Sequence, residues 1–186
     1  AALLDAIASE PRLMPHLHLS LQAGDDMVLK RMKRRHSRTD AIAFCETMRA
    51  KRPDIAFGAD LIAGFPTETD AMAENTLKLV DECGLSYLHV FPFSPRDGTP
   101  AARMPQVPGA VVKARAKALR EKGEAALKRH LDARIGRDIS VIVEEPGLAR
   151  AADFTLVAVA NALRPGAILT LRATAHDGTK LIANAA

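Results

Sequence analysis

The first 134 residues alternate apolar, strand-like runs with segments of helical periodicity, and this alternation limits the possible folds more than any other feature. The strand-like runs cover residues 16–22, 55–63 and 86–93, and a helical segment follows each of them. Strands that alternate with helices favour a parallel sheet with right-handed crossovers. The run 55–63 is apolar over most of its length, which predicts a strand buried on both faces.

The helices have recognisable starts. Asp25 or Asp26 is a candidate N-cap for the first helix after residue 22, and Thr39 is one for the next. Thr67 or Thr69 is expected to start the helix that follows the second strand. The predicted helices cover residues 1–9, 27–34, 39–50, 67–83 and 109–134.

The pattern changes at residue 135. Short apolar-rich runs separated by turn residues predict an all-β region, most simply a small barrel. The predicted strands cover residues 138–144, 154–160, 168–173 and 180–183. We therefore place a domain boundary at 134/135, with one α/β domain over 1–134 and one β domain over 135–186.

Composition excludes several classes of protein. Hydrophobic residues make up 48% and charged residues 26%, which argues against disorder. No run approaches the roughly 18 apolar residues of a membrane span, and the N-terminal residues do not resemble a signal peptide. Cys45 and Cys83 have neither a disulfide-framework nor a metal-ligand spacing, which suits the cytoplasm. The chain lacks an initiator Met and begins within a helical pattern, so we expect it to be part of a longer protein.

The formal net charge of +4 is unevenly distributed. Basic and acidic residues balance from residue 135 onward, so the excess lies before it. The densest basic run covers residues 30–38 and is compatible with either an anionic partner or a solvated helix face.

Unusual residues follow the predicted strands, where parallel α/β folds gather their chemistry. Gln22 ends the first strand, Asp60 lies inside the second, and Gly64-Phe65-Pro66-Thr67-Glu68 follows it. A buried Asp needs a partner, so Asp60 is a candidate functional residue, and the alternative is an Asp that caps a neighbouring loop. The helix start after Gly64 suits an anionic ligand, and the alternative is an ordinary strand–helix turn. His16 and His18 alternate on one strand without a ligand at metal spacing, so no metal site is predicted there.

Three segments together resemble one family. His18–Arg38, Asp60–Thr69 and His89–Met104 occur in the same order in the methylthiotransferase family of radical S-adenosylmethionine (SAM) enzymes. The first and third segments resemble most closely the branch that acts on threonylcarbamoyladenosine beside the tRNA anticodon. The resemblance implies the second half of a radical SAM (β/α) barrel, followed by a TRAM-like β-barrel of the kind that engages RNA.

The resemblance also implies cofactor-binding residues. Asp60, Ile62, Gly64 and Glu68 fall on the pattern G-x-I-x-G-x-x-x-E, with Asp60 in place of the first Gly. In a related group of radical SAM enzymes a Gln, an Arg and an Asp bind SAM, and Gln22, Arg34 and Asp60 have matching placements here. Arg34 is expected on the methionyl carboxylate, Gln22 and Asp60 on the ribose hydroxyls, and the backbone near Ile62 against adenine. The full cofactor-binding set is Gln22, Arg34, Asp60, Ile62, Gly64, Glu68 and Phe93.

The cluster-binding Cys-x-x-x-Cys-x-x-Cys motif of the family is absent from this sequence. The full-length enzyme would carry two 4Fe-4S clusters, cleave SAM to a radical, and add a methylthio group to C2 of the modified adenine. We expect this fragment to bind no cluster, to hold no catalytic residue and to be inactive alone. The residues expected to contact tRNA are Lys30, Arg31, Lys33, Arg35, Lys128 and Arg129.

Three alternatives remain open at this point. The chain resembles, less closely, the isopentenyladenosine branch of the family and the relative that modifies an aspartate of a ribosomal protein. The third alternative is an RNA-binding module without chemistry of its own.

Overall fold

The computed structural model describes residues 2–184 and combines helices, an open sheet and a closed β-barrel. A 3-10 turn at Ala101–Arg103 lies in the loop before the last helix. The helices are α1 (Ala2–Ser9), α2 (Asp26–Arg31), α3 (Arg38–Lys51), α4 (Asp70–Glu82) and α5 (Gly109–Asp132). The strands are β1 (His16–Gln22), β2 (Ala56–Ala63), β3 (Leu85–Pro92), β4 (Asp138–Glu145), β5 (Leu148–Ala151), β6 (Leu156–Ala158), β7 (Ile168–His176) and β8 (Leu181–Asn184).

The open sheet has the order β1-β2-β3, and β2 pairs with β3 in parallel, with Asp60 opposite His89. This confirms a parallel sheet in the first part of the chain. Successive side chains of a strand point to opposite faces. Phe57, Ala59 and Leu61 are completely buried on one face, whereas Asp60 on the other face is only half-buried. The expectation that the second strand is buried on both faces is therefore wrong for its carboxyl-terminal half, where Asp60 and Ile62 are half-buried.

Side-chain caps set the starts of the helices. The Asp25 carboxylate accepts hydrogen bonds from the first turn of α2, and Thr69 caps α4, both as expected. The α3 helix is capped by Ser37 rather than Thr39, because Ser37 and Asp40 form a reciprocal capping box. The α2 helix ends at Arg31, three residues earlier than predicted.

The C-terminal strands form a closed barrel in the order β4-β5-β6-β8-β7. A closed barrel has no free edge strand. The β4 strand alternates buried and exposed residues, and its inward residues Ile139, Val141 and Val143 belong to the barrel core. The sequence analysis missed β5, a four-residue strand that pairs with β4 through a turn at Gly147.

The chain divides into two compact units. One comprises residues 17–53 and 57–126 and contains most of the open sheet. In the other, the described residues are 2–16, 54–56 and 127–184, which include the barrel, α1 and the end of α5. The domain boundary at 134/135 stays a prediction.

A buried polar cluster lies within the barrel unit. The Asp153 side chain is 4% exposed, accepts a hydrogen bond from His130 Nε2 at 3.1 Å, and pairs with Arg134. Burial alone would raise the pKa of Asp153, but the hydrogen bond from His130 and the charge of Arg134 outweigh it and lower the pKa to about 2. Asp153 is therefore held as an anion by its partners.

None of the helices within residues 2–184 combines the length and the apolar character that a membrane crossing requires.

Candidate functional site

An open cavity of about 520 Å³ lies at the carboxyl ends of β1, β2 and β3. Gln22, Asp60, Ile62 and Phe93 line it, so the structure brings together four of the residues that the sequence analysis selected. The remaining lining residues are Phe91, Pro92, Ser94, Arg96, Thr99 and Ala101. The cavity combines a carboxamide, a carboxylate and a guanidinium with aromatic and aliphatic surface, a lining suited to an organic ligand with several polar groups.

An apolar cluster positions the loops around this cavity. Ala23 follows β1, Phe65 follows β2 and Phe93 follows β3, and all three pack in one cluster with Val28 and Leu29 of α2. The rings of Phe65 and Phe93 meet edge to face, with centroids 5.2 Å apart. Because apolar packing holds the three loops together, the polar residues beside them have defined positions.

Gln22 has an unusual backbone for its position. Its φ angle is 68°, in the left-handed region that residues other than glycine rarely adopt, and the residue is 8% exposed. Strained, buried residues of this kind concentrate at ligand sites, where the surrounding structure enforces the conformation.

A buried ion pair between Glu68 and Arg115 stabilises the loop after β2. Glu68 accepts hydrogen bonds from the Gly64 amide at 3.2 Å and from Arg115 Nη1 at 3.0 Å. Arg115 lies on α5 and also pairs with Asp70 at 2.7 Å. Burial raises the pKa of Glu68, and Arg115 and the Gly64 amide offset this only in part. Glu68 is thus engaged within the protein and does not line the large cavity.

Gly64 is required by its surroundings as well as by its backbone. Its φ is +75°, and a Cβ there would lie 2.6 Å from Val112 of α5. Gly64 lines a second opening of about 380 Å³ with Pro92, Phe93 and Val112, next to the β2 loop.

Arg34 is not among the residues that line the large cavity. It is exposed, and its amide donates to the Leu29 carbonyl at 2.9 Å in the turn that ends α2. The guanidinium that does line the cavity belongs to Arg96, which lies in the segment His89–Met104 and was not among the predicted cofactor-binding residues.

The predicted RNA-contacting residues differ in exposure. Lys30, Lys33 and Arg35 are exposed around the end of α2, whereas Arg31 is half-buried and donates to the Thr67 carbonyl at 3.3 Å. Lys128 and Arg129 are exposed on the last turns of α5.

Sequence analysis missed three residues that shape the site: Arg115, Arg96 and His89. A buried Glu at position 68 signals that a cation is needed, but it does not identify Arg115, which lies 47 positions away. His89 stands opposite Asp60 in the sheet register, a relation that appears only once the strands are paired.

The two cysteines do not fit an iron–sulfur cluster. Cys45 and Cys83 are free and completely buried, and a hydrogen bond between their thiols lowers the pKa of Cys45 and raises that of Cys83. Cluster binding takes several converging thiolates. No step of a reaction is assigned to a cluster within this chain.

Comparison with known proteins supports the resemblance found in the motifs. Residues 1–80 match the Radical SAM superfamily. The chain is 52% identical over 166 residues to the threonylcarbamoyladenosine tRNA methylthiotransferase MtaB of Rickettsia prowazekii, covering 89% of this chain and 39% of that protein. It is 42% identical over 143 residues to the enzyme of that name in Thermotoga maritima, covering 76% of this chain and 33% of that protein.

A second group of relatives is named for a different nucleoside. The tRNA-2-methylthio-N(6)-dimethylallyladenosine synthase of Cereibacter sphaeroides is 41% identical over 145 residues, covering 78% of this chain and 33% of that protein. The chain thus spans between one third and two fifths of the length of these curated relatives. The predicted resemblance to radical SAM tRNA methylthiotransferases is confirmed.

Proposed function

We propose that this chain is the C-terminal portion of a radical SAM tRNA methylthiotransferase that acts on threonylcarbamoyladenosine next to the anticodon. The observation that carries the proposal is the 52% identity over 89% of the chain to a relative of that name, against 41% over 78% for a dimethylallyladenosine enzyme. The first 134 residues then correspond to the second half of a radical SAM barrel, and the β-barrel to a TRAM-like domain. A protein that modifies tRNA in this way is proposed to act in the cytoplasm.

SAM is the proposed occupant of the large cavity. Gln22 and Asp60 offer a carboxamide and a carboxylate for ribose hydroxyls, and Ile62 and Phe93 offer apolar surface for the adenine ring. When bound beside a cluster supplied by the rest of the parent protein, SAM provides the methyl group and the radical chemistry. This chain's own contribution is to bind and orient it.

Two arginines are candidates for binding the methionyl carboxylate of SAM. The resemblance assigns Arg34, whereas the guanidinium that lines the cavity is that of Arg96. A charge-assisted and bidentate bond to a carboxylate is among the stronger polar contacts. In the parent enzyme, Arg34→Ala should weaken SAM binding more than Arg35→Ala, its exposed neighbour. An Arg96→Ala variant that alone weakens SAM binding would move the role to Arg96.

Contact with tRNA is proposed for the exposed lysines and arginines around α2 and at the end of α5. Each phosphate contact adds to the salt dependence of binding. We expect the triple variant Lys30→Ala, Lys33→Ala, Arg35→Ala to bind tRNA more weakly and with a shallower salt slope than the unaltered chain. Equal slopes for the two proteins would remove α2 from the tRNA surface.

The activity is tested with the complete parent gene. Expression in a bacterial strain that lacks both methylthiotransferase activities, followed by mass spectrometry of tRNA nucleosides, should reveal 2-methylthio-threonylcarbamoyladenosine. Asp60→Ala should abolish the product, and Glu124→Gln on the exposed side of α5 should not. Appearance of the methylthio-isopentenyl product instead would assign the protein to the other branch. Absence of both products would overturn the proposal and favour the ribosomal-protein enzyme or a binding module.

A further inference from the structure

Two histidines and one carboxylate converge on the open face of the sheet. Asp60 Oδ1 lies 2.8 Å from His18 Nε2 and 3.3 Å from His89 Nδ1. The two imidazole rings are 4.6 Å apart between centroids. One ligand-capable atom from each of the three residues lies within 4.8 Å of the other two, and among residues 2–184 no other such trio of His, Cys, Asp or Glu occurs.

The three residues come from three adjacent strands. His18 lies on β1, Asp60 on β2 and His89 directly opposite Asp60 on β3. Placement on paired strands defines the relative positions of the three backbones more firmly than placement on loops would. Spacing along the chain could not reveal this group, because 42 positions separate His18 from Asp60 and 29 separate Asp60 from His89.

The sheet also makes room for the His18 ring. A Cβ on Gly58 would lie 2.6 Å from His18 Nδ1, closer than such contacts occur in proteins. Gly58 is two residues before Asp60 on β2 and so faces the same side. The absent side chain at position 58 therefore lets His18 approach Asp60.

We propose that His18, Asp60 and His89 bind a divalent transition-metal ion such as Zn²⁺. Two imidazoles and one carboxylate suit zinc and its first-row neighbours rather than Mg²⁺ or Ca²⁺, which prefer oxygen ligands. Zinc bonds of about 2.0–2.2 Å place neighbouring ligand atoms about 3.3 Å apart in a tetrahedral site. In the structure Asp60 Oδ1 lies 2.8 Å from His18 Nε2 and 3.3 Å from His89 Nδ1.

Three protein ligands leave at least one coordination position for water or another ligand. Asp60 also lines the large cavity, and the side chains of His18 and His89 are 32% and 64% exposed. An ion can therefore reach the site from solvent. This inference goes beyond the proposed function because it concerns an ion, although Asp60 belongs both to this trio and to the cavity proposed for SAM.

The test is titration of the untagged 186-residue chain with Zn²⁺ by calorimetry, and with Co²⁺ by visible spectroscopy, without SAM or RNA. We expect one ion per chain and a Co²⁺ spectrum that reports imidazole ligation. Removing a group that merely supports a metal ligand commonly weakens binding about 10- to 100-fold. His18→Gln, His89→Gln and Asp60→Asn should therefore each weaken Zn²⁺ binding by about 100-fold or more.

Matched controls separate the site from general histidine binding. His16→Gln, on the same strand as His18, should leave the stoichiometry and affinity unchanged. Gly58→Ala keeps all three ligands but displaces the His18 ring, and should weaken binding by about tenfold or more, by the same reasoning. Gly109→Ala has nothing within 4 Å of the added Cβ and should have no effect. Thermal unfolding of every variant confirms that it is folded.

The proposal is overturned if Zn²⁺ does not bind one-to-one, or if the His18 and His89 variants bind it as the unaltered chain does. Because the experiment contains no SAM or tRNA, either result leaves the proposed enzymatic function unaffected.

Discussion

Asp60 and Asp153 each hydrogen-bond to a histidine, at 2.8 and 3.1 Å, but they lie in very different surroundings. The side chain of Asp60 is 28% exposed on the open sheet, and that of Asp153 is 4% exposed in the barrel unit. The partners of Asp153 include a cation, Arg134, whereas those of Asp60 are two imidazoles that also face solvent. The surroundings, and not the distances, distinguish the two groups: Asp153 belongs to a buried ion pair, whereas we propose that Asp60 belongs to a ligand-binding site.

Removal of the buried carboxylate should have the largest effect on stability. Asp153→Ala removes the buried carboxylate that pairs with Arg134 and His130, and breaking a buried pair costs about 3–5 kcal/mol in unfolding free energy. The measurement is the free energy of unfolding in urea. The matched control is Asp60→Ala, which should lower this free energy by only about 0–1 kcal/mol. Equal losses in the two variants would remove the distinction between the clusters.

Glu68 shares a feature with each of these two aspartates. It is a buried carboxylate, as Asp153 is, but it lies in the unit of the open sheet, as Asp60 does. Glu68→Ala removes the acceptor for the Gly64 amide and for Arg115, with an expected loss of about 2–3 kcal/mol in unfolding free energy. Burial already disfavours the charge, since the pKa of Glu68 is raised. Glu68→Gln should therefore cost less than Glu68→Ala, and an isosteric variant that is the more damaging of the two would contradict this account.

Acid should weaken the Asp153 cluster specifically. The pKa of Asp153 is about 2 in the folded chain and near 3.8 in the unfolded chain. A depressed folded pKa contributes stability that is present above about pH 4 and is lost as the pH falls towards 2, a change of about 2 kcal/mol. Urea unfolding of the unaltered chain and of Asp153→Asn between pH 5 and 2 measures it. The variant should lose less stability across that range.

The smallest change in stability is expected on substitution of Asp60, which lies between His18 and His89 on the open sheet. Asp60→Asn should alter the unfolding free energy by only about 0–1 kcal/mol, since partly exposed ion pairs contribute little. Binding of a ligand at the cavity should nevertheless be strongly reduced. A large loss of stability in Asp60→Asn, seen by thermal unfolding, would show that Asp60 serves the fold first.

Local patterns were enough to predict most of the architecture. Helical spacing and capping residues located α3, α4 and α5 within a few residues, and alternation predicted the β-barrel. Two features were missed for different reasons. Ser37-x-x-Asp40 has the spacing of a capping box, and the prediction of Thr39 as the cap overlooked it. The β5 strand has only four residues, too few for an alternating pattern to be recognised.

The site was predictable only in part. Gln22, Asp60, Ile62 and Phe93 come together because the carboxyl ends of parallel strands meet at one edge of the sheet. His89, Arg96 and Arg115 were not predictable, because their roles depend on strand register and on the path of loops and α5. Local residue types carry no information about such pairings, which span 29 positions for Asp60 with His89 and 47 for Glu68 with Arg115.

The most direct test of the central claim is nuclear magnetic resonance of the ¹⁵N-labelled chain titrated with SAM. The account predicts shifts at the amides of Gln22, of residues 60–64 and of Phe93, with the amides of β4 to β8 unchanged. Saturable shifts confined to the barrel strands, or no shift at any amide as SAM is raised to millimolar concentration, would contradict the assignment of the sheet cavity to SAM.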